Sequence, residues 1–184
     1  FQPNMLGIDD VANRIRSVGF RCLGCGACCR RVAEDSNLVL VSPAEVRKIM
    51  AATKMSWDEV AEPYPDFIES ESGGQYTLAW CIRRNEDACI FLRDGRCSIY
   101  PHRPWICRTY PFMLVDDDLL VSECPGLGTP LSLHDAHVAA ADLCRRQAAE
   151  TAEEIGLRAA YQRAVVPPGK RAVIDSEGMK VLNG

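Results

Sequence analysis

The sequence predicts an α+β fold with a small, metal-organised, cysteine-rich core, short hairpins, flanking helices and a long C-terminal helix. Three observations support this. Four of the ten cysteines lie within the eight residues 22–29. Short apolar runs separated by turn residues follow between residues 81 and 126, which is typical of hairpins. An alanine-rich stretch of high helix propensity then runs from Ser132 to about Ala164.

Length and composition predict one domain with an appendage. The 184 residues are 47% hydrophobic and 25% charged, as in an ordinary globular protein with a core of its own. We expect a single cysteine-cluster domain over residues 1–165, with its motif region at about 20–126 and its long helix at about 132–164. We expect residues 166–184 to form a C-terminal tail with at most one short strand, at 172–174.

Charge and hydropathy exclude some classes of function. The net charge of -4 argues against nonspecific binding of nucleic acid, and no run approaches the length of a membrane span. Ten cysteines are about 5% of the chain, which is below the composition of a disulfide scaffold. These features predict a cytoplasmic protein that binds neither nucleic acid nor membrane, and we expect a protein partner.

The first half of the chain is expected to hold helices and short strands. Ser42 precedes Pro43 and lies three residues before Glu45, which is the pattern of a helix N-cap with a capping box. The elements expected before residue 81 are a helix within 1–19, a strand over 37–41, a helix from Pro43 to about Ala52, a helical piece over 56–61 and a strand over 75–80.

Two hairpins are expected in the second half. Two apolar runs flank Arg93-Asp94-Gly95, which predicts a hairpin with Cys89 on one arm and Cys97 on the other. The next two runs, 113–115 and 119–121, flank three aspartates at 116–118 and predict a second hairpin. The long helix is expected to begin after Ser132, with Asp135 as its capping partner and Gly156 as a possible break.

The spacing of the cysteines predicts metal binding. Two-residue gaps let a looping backbone direct successive sulfurs to one point, and the intervening glycines permit the positive φ angles that such a loop needs. Neighbouring side chains diverge, so we expect Cys22, Cys25 and Cys28 to share one centre and Cys29 to serve a second. With three histidines in the chain, the ligands are mainly thiolates, which select zinc, iron–sulfur or copper(I). The candidate ligands are Cys22, Cys25, Cys28, Cys29, Cys81, Cys89, Cys97, Cys107 and Cys124.

The other candidate residues have two readings each. Arg103 and Arg108 could donate to the Cys107 sulfur or form surface ion pairs. The aromatic residues Trp80, Trp105 and Tyr110 could shield a cluster from water or pack in the core. Cys144 lies within the long helix, where a small buried hydrophobe is the better interpretation.

The loop Cys-x-x-Cys-x-x-Cys-Cys resembles the defining motif of the CxxCxxCC, or YkgJ-type, cysteine-cluster proteins. The resemblance continues through the later cysteines, Arg103-Pro104, Cys107-Arg108 and Tyr110-Pro111-Phe112, and spans about residues 20–126. It implies a domain that chelates zinc or iron. One branch of the family, the flagellin lysine-N-methylases, transfers methyl groups to protein lysine, but this sequence has no additional region that would obviously hold S-adenosylmethionine.

Three hypotheses follow for function. The first is one or two thiolate-bound iron–sulfur clusters, of the 4Fe-4S type, with a redox or metal-handling role. Nine cysteines suffice for two four-thiolate sites with one to spare, and the dipeptide Cys124-Pro125 favours cubane geometry. The second is a structural zinc module for protein interaction. The third is a protein lysine methyltransferase, for which the sequence indicates no catalytic residue.

Overall fold

The structure is a computed structural model that describes residues 7–30 and 38–184 of the chain. Its helices and small sheets confirm the predicted α+β class. None of the helices in the described part is both long enough and apolar enough to cross a bilayer. The helices are α1 (Ile8–Val18), α2 (Pro43–Thr53), α3 (Trp57–Val60), α4 (Trp105–Thr109) and α5 (Leu133–Arg163), with 3-10 turns at Ala27–Cys29 and Tyr100–His102.

The strands are short and belong to several separate sheets. They are β1 (Leu40–Val41), β2 (Ala61–Pro63), β3 (Ile68–Glu69), β4 (Gln75–Thr77), β5 (Trp80–Ile82), β6 (Arg84–Asn85), β7 (Ala88–Cys89), β8 (Leu92–Arg93), β9 (Arg96–Cys97), β10 (Phe112–Val115), β11 (Asp118–Val121), β12 (Arg171–Asp175) and β13 (Gly178–Val181).

Two of the sheets have more than two strands. One has the order β1-β5-β2 and is antiparallel, and the other has the order β13-β12-β4-β3, in which β12 and β4 are parallel. The pairs β6-β7, β8-β9 and β10-β11 are two-stranded hairpins. Isolated two-stranded hairpins are marginally stable in water, so the region from β6 to β11 depends on packing against the rest of the chain or on bound groups.

Three hydrophobic clusters hold these elements together. The first joins α2, α3 and the three-stranded sheet to Phe91 and Ile99 of the cysteine-rich region. The second packs α1 and the first turns of α5 against Phe112 of β10. The third packs the end of α5 onto β12. The cysteine-rich region therefore lies between a helix pair on one side and a small sheet on the other.

Helix α2 begins as the sequence predicts. The Oγ of Ser42 accepts the Glu45 N–H at 3.3 Å, and the Glu45 carboxylate accepts the Ser42 N–H at 2.9 Å. Pro43 occupies the first helical position, where its missing N–H costs nothing. The predicted short helix is α3, and the strand expected over 37–41 is observed as β1; residue 37 lies outside the described residues.

The prediction of a single strand over 75–80 is wrong in one respect, because these residues form two strands that belong to different sheets. Strand β4 pairs with β12 and β3, whereas β5 pairs with β1 and β2. Trp80 is buried against Trp57, with ring centroids 5.3 Å apart, and its Nε1 donates to Asp175 at 2.8 Å. The intervening Leu78 is exposed, because the chain bends there to pass from one sheet to the other.

The hairpin expected to carry both Cys89 and Cys97 is also corrected. Asp94 and Gly95 both have positive φ (50° and 76°) and join β8 to β9, so that Cys97 faces Leu92. Cys89 lies instead in β7, opposite Arg84 of β6. Residues 90 and 91 turn the chain between the two hairpins, because Phe91 is drawn into the first hydrophobic cluster. The second predicted hairpin, around the three aspartates, is confirmed as β10-β11.

The C-terminal residues are integrated into the fold, contrary to the expectation of a tail with at most one strand. Strands β12 and β13 form a hairpin, and β12 adds in parallel to β4. Val173 faces the first hydrophobic cluster, whereas Ala172 and Ile174 face α5 in the third. Because both faces of β12 are covered, its apolar residues lack the alternation that would have marked a half-buried strand.

Helix α5 is continuous over 31 residues, and Gly156 does not break it. Its cap is as predicted, with the Ser132 Oγ accepting the Asp135 N–H at 3.0 Å. A Cβ added at Gly156 would lie 2.9 Å from the backbone oxygen of Ser176. Glycine is therefore placed there so that the turn between β12 and β13 can approach the helix closely.

Candidate metal centre

The cysteine loop is fastened at both of its ends to later parts of the chain. Phe20 forms a β-bridge with Leu127, and the Arg21 N–H donates to the Gly126 carbonyl at 3.0 Å. At the other end, Arg30 forms a bridge with Ala88. The start of the loop is thereby brought towards Cys124, and its end is brought towards Cys89.

Gly26 shapes the middle of the loop. It has a φ of 69°, and a Cβ at this position would lie 2.8 Å from the Gly95 carbonyl oxygen at the tip of the β8-β9 hairpin. A 3-10 turn follows at once, in which the Cys29 N–H donates to the Gly26 carbonyl at 3.0 Å. Glycine is required here both by the backbone angle and by the contact with the hairpin.

The larger of two cavities beside the loop has a volume of about 390 Å³ and an apolar floor that includes Phe91 and Ile99. It lies between the loop, the β8-β9 hairpin and the start of α4. Six cysteines contribute to its lining: Cys22, Cys28, Cys29, Cys89, Cys97 and Cys107.

The smaller cavity has a volume of about 130 Å³ and lies on the other side of the loop, against Tyr110 and the segment after β11. Five cysteines line it: Cys22, Cys25, Cys28, Cys107 and Cys124. The two cavities share Cys22, Cys28 and Cys107, and together they are lined by eight of the nine candidate cysteines.

Within the described ranges 7–30 and 38–184, no three His, Cys, Asp or Glu side chains are grouped closely enough to hold a single metal ion. The thiols instead surround two spaces of more than atomic size. A tetrahedral zinc ion needs four sulfurs at about 2.3 Å from one point. The thiols of the described residues do not converge on such a point.

The adjacent Cys28 and Cys29 form a thiol–thiolate pair. A hydrogen bond from Cys29 lowers the pKa of Cys28 to about 6, and the Arg103 guanidinium adds to this effect. The same hydrogen bond raises the pKa of Cys29, with burial as a second cause. The lowered pKa favours the thiolate form of Cys28 near neutral pH, which is the form that binds metals.

Three of the later cysteines, Cys89, Cys97 and Cys107, are held as neutral thiols in the protein without metal. Burial raises the pKa of Cys107 to about 12, and burial likewise raises the pKa values of Cys89 and Cys97. The neighbouring thiol groups raise them further. Because a metal binds the thiolate, loading this site would release protons from these residues.

The two arginines beside Cys107 have different surroundings. Arg103 stacks over the Tyr100 ring at 3.5 Å from its centroid, and its Nε donates to the Tyr100 carbonyl at 2.8 Å. It lines both cavities. The Nε of Arg108 donates to Asp142 of α5 at 2.9 Å, so this arginine fastens α4 to the long helix. Of the two sequence readings, an ion pair applies to Arg108, which also lines the smaller cavity, whereas Arg103 lines both cavities.

Tyr110 marks the smaller cavity, and the sequence had left its role open. Its hydroxyl donates to the Glu123 carbonyl at 2.5 Å, which ties α4 to the residue before Cys124. Burial raises the pKa of Tyr110, and the nearby Cys124, Cys28 and Cys25 raise it further. Trp80, by contrast, is a core residue, and Trp105 donates its backbone N–H to Glu45 of α2 at 2.8 Å.

Cys81 and Cys144 line neither cavity. Cys81 is fully buried in β5, opposite Leu40 and Glu62, and burial raises its pKa to about 12. Cys144 is half-buried in α5. The sequence motif included Cys81 among the candidates because spacing alone does not show which face of the sheet a side chain occupies.

No histidine lines the two cysteine cavities. The His137 ring contacts the Leu133 carbonyl at 2.8 Å and the Asp9 carboxylate at 2.9 Å, which links α5 to α1. Two residues that sequence reasoning did not single out, Arg96 and Tyr100, do line the larger cavity. Both are close in sequence to Cys97, which is the signal that could have identified them.

Comparison with known proteins agrees with this site. The model of the CxxCxxCC family, described as "Putative zinc- or iron-chelating domain", matches residues 21–154, most of the chain. An uncharacterised protein of Methanocaldococcus jannaschii is 28% identical over 100 residues, which are 53% of this chain and 47% of the relative. The chain thus spans about half the length of that curated relative. No solved structure matches.

Proposed function

The chain belongs to the CxxCxxCC family, and we propose that it carries two iron–sulfur clusters of the 4Fe-4S type, with a redox or metal-handling role. One observation carries the proposal: eight cysteines line two adjoining cavities, and none of the three-residue groupings needed for a single ion occurs among the described residues. Eight thiolates are the number that two four-thiolate clusters require.

The lining of the cavities supports a division of the ligands. Cys25 and Cys124 line the smaller cavity alone, and Cys29, Cys89 and Cys97 line the larger one alone. The three shared cysteines complete two sets of four if Cys107 joins the larger cavity and the other two join the smaller. The proposed sets are therefore Cys22, Cys25, Cys28 and Cys124 for one cluster and Cys29, Cys89, Cys97 and Cys107 for the other.

The mutual influence of the thiols agrees with this division only in part. Burial raises the pKa of Cys107, and Cys89 and Cys97 raise it further, but so does Cys28 of the other proposed set. Cys29 is influenced by Cys28 first and by Cys89 and Cys107 less. Tyr110, on the other side of the loop, is influenced by Cys124, Cys28 and Cys25. The adjacent Cys28 and Cys29 would then serve different clusters, so the hydrogen bond between their sulfurs would be broken when the clusters bind.

Bound clusters would supply one-electron chemistry, while the protein's own residues control their surroundings. Phe91 and Ile99 on the floor of the larger cavity exclude water from that side. Arg103 lines both cavities, and its positive charge offsets the negative charge of the thiolates. A zinc site would use the same thiols but would need them to converge on a point.

The test is a pair of single substitutions, Cys25→Ala and Cys29→Ala, in protein reconstituted anaerobically with iron and sulfide. Each variant should keep about half of the iron and sulfide of the wild type, since each removes a ligand of one cluster. The double variant should keep neither cluster. If either single variant lost all iron, the two-cluster division would be wrong, and stoichiometric zinc without sulfide in the wild type would favour the structural zinc module.

A further inference from the structure

A cationic cleft adjoins the cysteine cavities on the side of α2. It has a volume of about 450 Å³ and lies between α2 and the proline-braced segment 101–108. Its basic residues are Lys48 from α2 and His102, Arg103 and Arg108 from that segment. No cysteine lines it, so it is a separate feature from the metal centre.

Among the described residues, the acidic residue in the lining of the cationic cleft is Glu45, and its carboxylate already accepts hydrogen bonds. One oxygen accepts the Trp105 N–H at 2.8 Å, and the other accepts the Ser42 N–H at 2.9 Å. These bonds fasten α4 to the first turn of α2. The carboxylate therefore acts as a structural clamp. Of the three permanent cations that face the cleft, Arg108 is paired with Asp142, so Lys48 and Arg103 remain against the charge of Glu45.

The two arginines are held in place before any ligand arrives. The Tyr100 carbonyl and ring hold Arg103, and Asp142 holds Arg108 through its Nε. Among the described residues, the Nε atoms of the two guanidinium groups form these hydrogen bonds, and Lys48 forms no ion pair. The planar edge of a guanidinium group matches the oxygens of a carboxylate or a phosphate, and holding it in advance reduces the entropy lost on binding.

We propose that the cationic cleft binds a small molecule that bears a carboxylate or phosphate group. Clefts of this volume are typical of small-molecule sites, and a concave wall of one charge concentrates ligands of the opposite charge. Arg103 lines the cationic cleft and both cysteine cavities, and Arg108 lines the cleft and the smaller cavity. A bound anion would thus lie beside the thiolate site and share its two arginines.

The experiment is a calorimetric titration of the metal-loaded protein at constant ionic strength. The probes are sodium phosphate, sodium succinate and uncharged succinamide. The variant Lys48→Ala/His102→Gln removes two exposed basic side chains of the cationic cleft and leaves both arginines intact. The control is Arg47→Ala, the preceding residue of α2, whose guanidinium instead pairs with Glu177 of the turn between β12 and β13.

We expect saturable binding of at least one anion and none of succinamide. Binding of phosphate alone would identify a phosphate ligand, and binding of succinate alone would identify a carboxylate. The double variant should bind at least about tenfold more weakly, which corresponds to about 1.4 kcal/mol, with the control unchanged. The proposal is overturned if neither anion binds saturably, if the double variant binds as the wild type does, or if Arg47→Ala weakens binding equally. The metal content of every variant is measured as a control. If it is equal in all of them, a change in anion binding does not come from loss of the clusters.

Discussion

Replacing Cys81 with alanine should leave both metal centres intact, although the sequence motif includes this residue. Cys81 is 0% exposed in the central strand of the three-stranded sheet and lines neither cysteine cavity. Eight other cysteines already line the two cavities. The account therefore makes Cys81 the spare member of the nine.

The substitution should still cost stability, because it removes a buried sulfur. A side chain shortened by one heavy atom in a packed core leaves a small cavity and costs about 1–2 kcal/mol. Natural domains have about 5–15 kcal/mol of net stability, so the variant should fold. The expected loss is a modest shift in the midpoint of urea unfolding, with iron and sulfide content unchanged.

The matched control is Cys97→Ala, which removes a half-buried thiol that does line the larger cavity. It should lose about half of the iron and sulfide after anaerobic reconstitution. The reasoning would be refuted if Cys81→Ala lost as much iron as Cys97→Ala while remaining folded by circular dichroism.

Three further predictions concern the helices around the site. Gly156→Ala should lower the free energy of unfolding by about 1 kcal/mol despite the higher helix propensity of alanine, because the new Cβ would meet the Ser176 backbone; a higher midpoint of urea unfolding would contradict this. The contacts of His137 with the Leu133 carbonyl and Asp9 raise its pKa. Their contribution to stability is therefore complete below the unfolded pKa of about 6.5 and is lost as the pH rises through the pKa of the folded protein. An NMR titration that gives an ordinary pKa for His137 would disprove this prediction. Cys144→Ala should cost about 1 kcal/mol and no metal, whereas loss of a metal equivalent would make Cys144 a ligand.

The features that the sequence predicted well are local ones. The cap of α2 depends on Ser42 and Glu45, three residues apart, and the β10-β11 hairpin depends on a turn between two adjacent apolar runs. The clustering of thiols in the opening loop is likewise a matter of spacing within eight residues. In each case the interacting groups are neighbours in the chain, so the pattern contains the whole interaction.

The features that the sequence predicted poorly depend on residues that are far apart in the chain. The parallel pairing of β12 with β4 joins Ala172 to Tyr76, and no local pattern reveals which strand will cover a C-terminal segment. The placement of Cys89 in its own hairpin follows from the burial of Phe91 against α2 and the sheet. Likewise, the ion pair of Arg108 required the position of Asp142 on α5.

The separation of Cys29 from Cys22, Cys25 and Cys28 stays a prediction. Cys29 lines the larger cavity, but Cys22 and Cys28 line that cavity as well. The ligands added by the later block depend on the bridges that bring Phe20 to Leu127 and Arg30 to Ala88, which are tertiary contacts. Spacing therefore indicated that the loop binds metal, whereas the fold is needed to propose which later cysteines join it.

Anaerobic analysis of iron, zinc and acid-labile sulfide, with a visible absorption spectrum of the same sample, tests the central claim most directly. The account predicts a brown protein with about eight iron atoms and eight sulfides per chain, because two cubane clusters with four thiolates each are proposed. A colourless protein that holds one or two zinc ions and no sulfide after purification and reconstitution under nitrogen would contradict it.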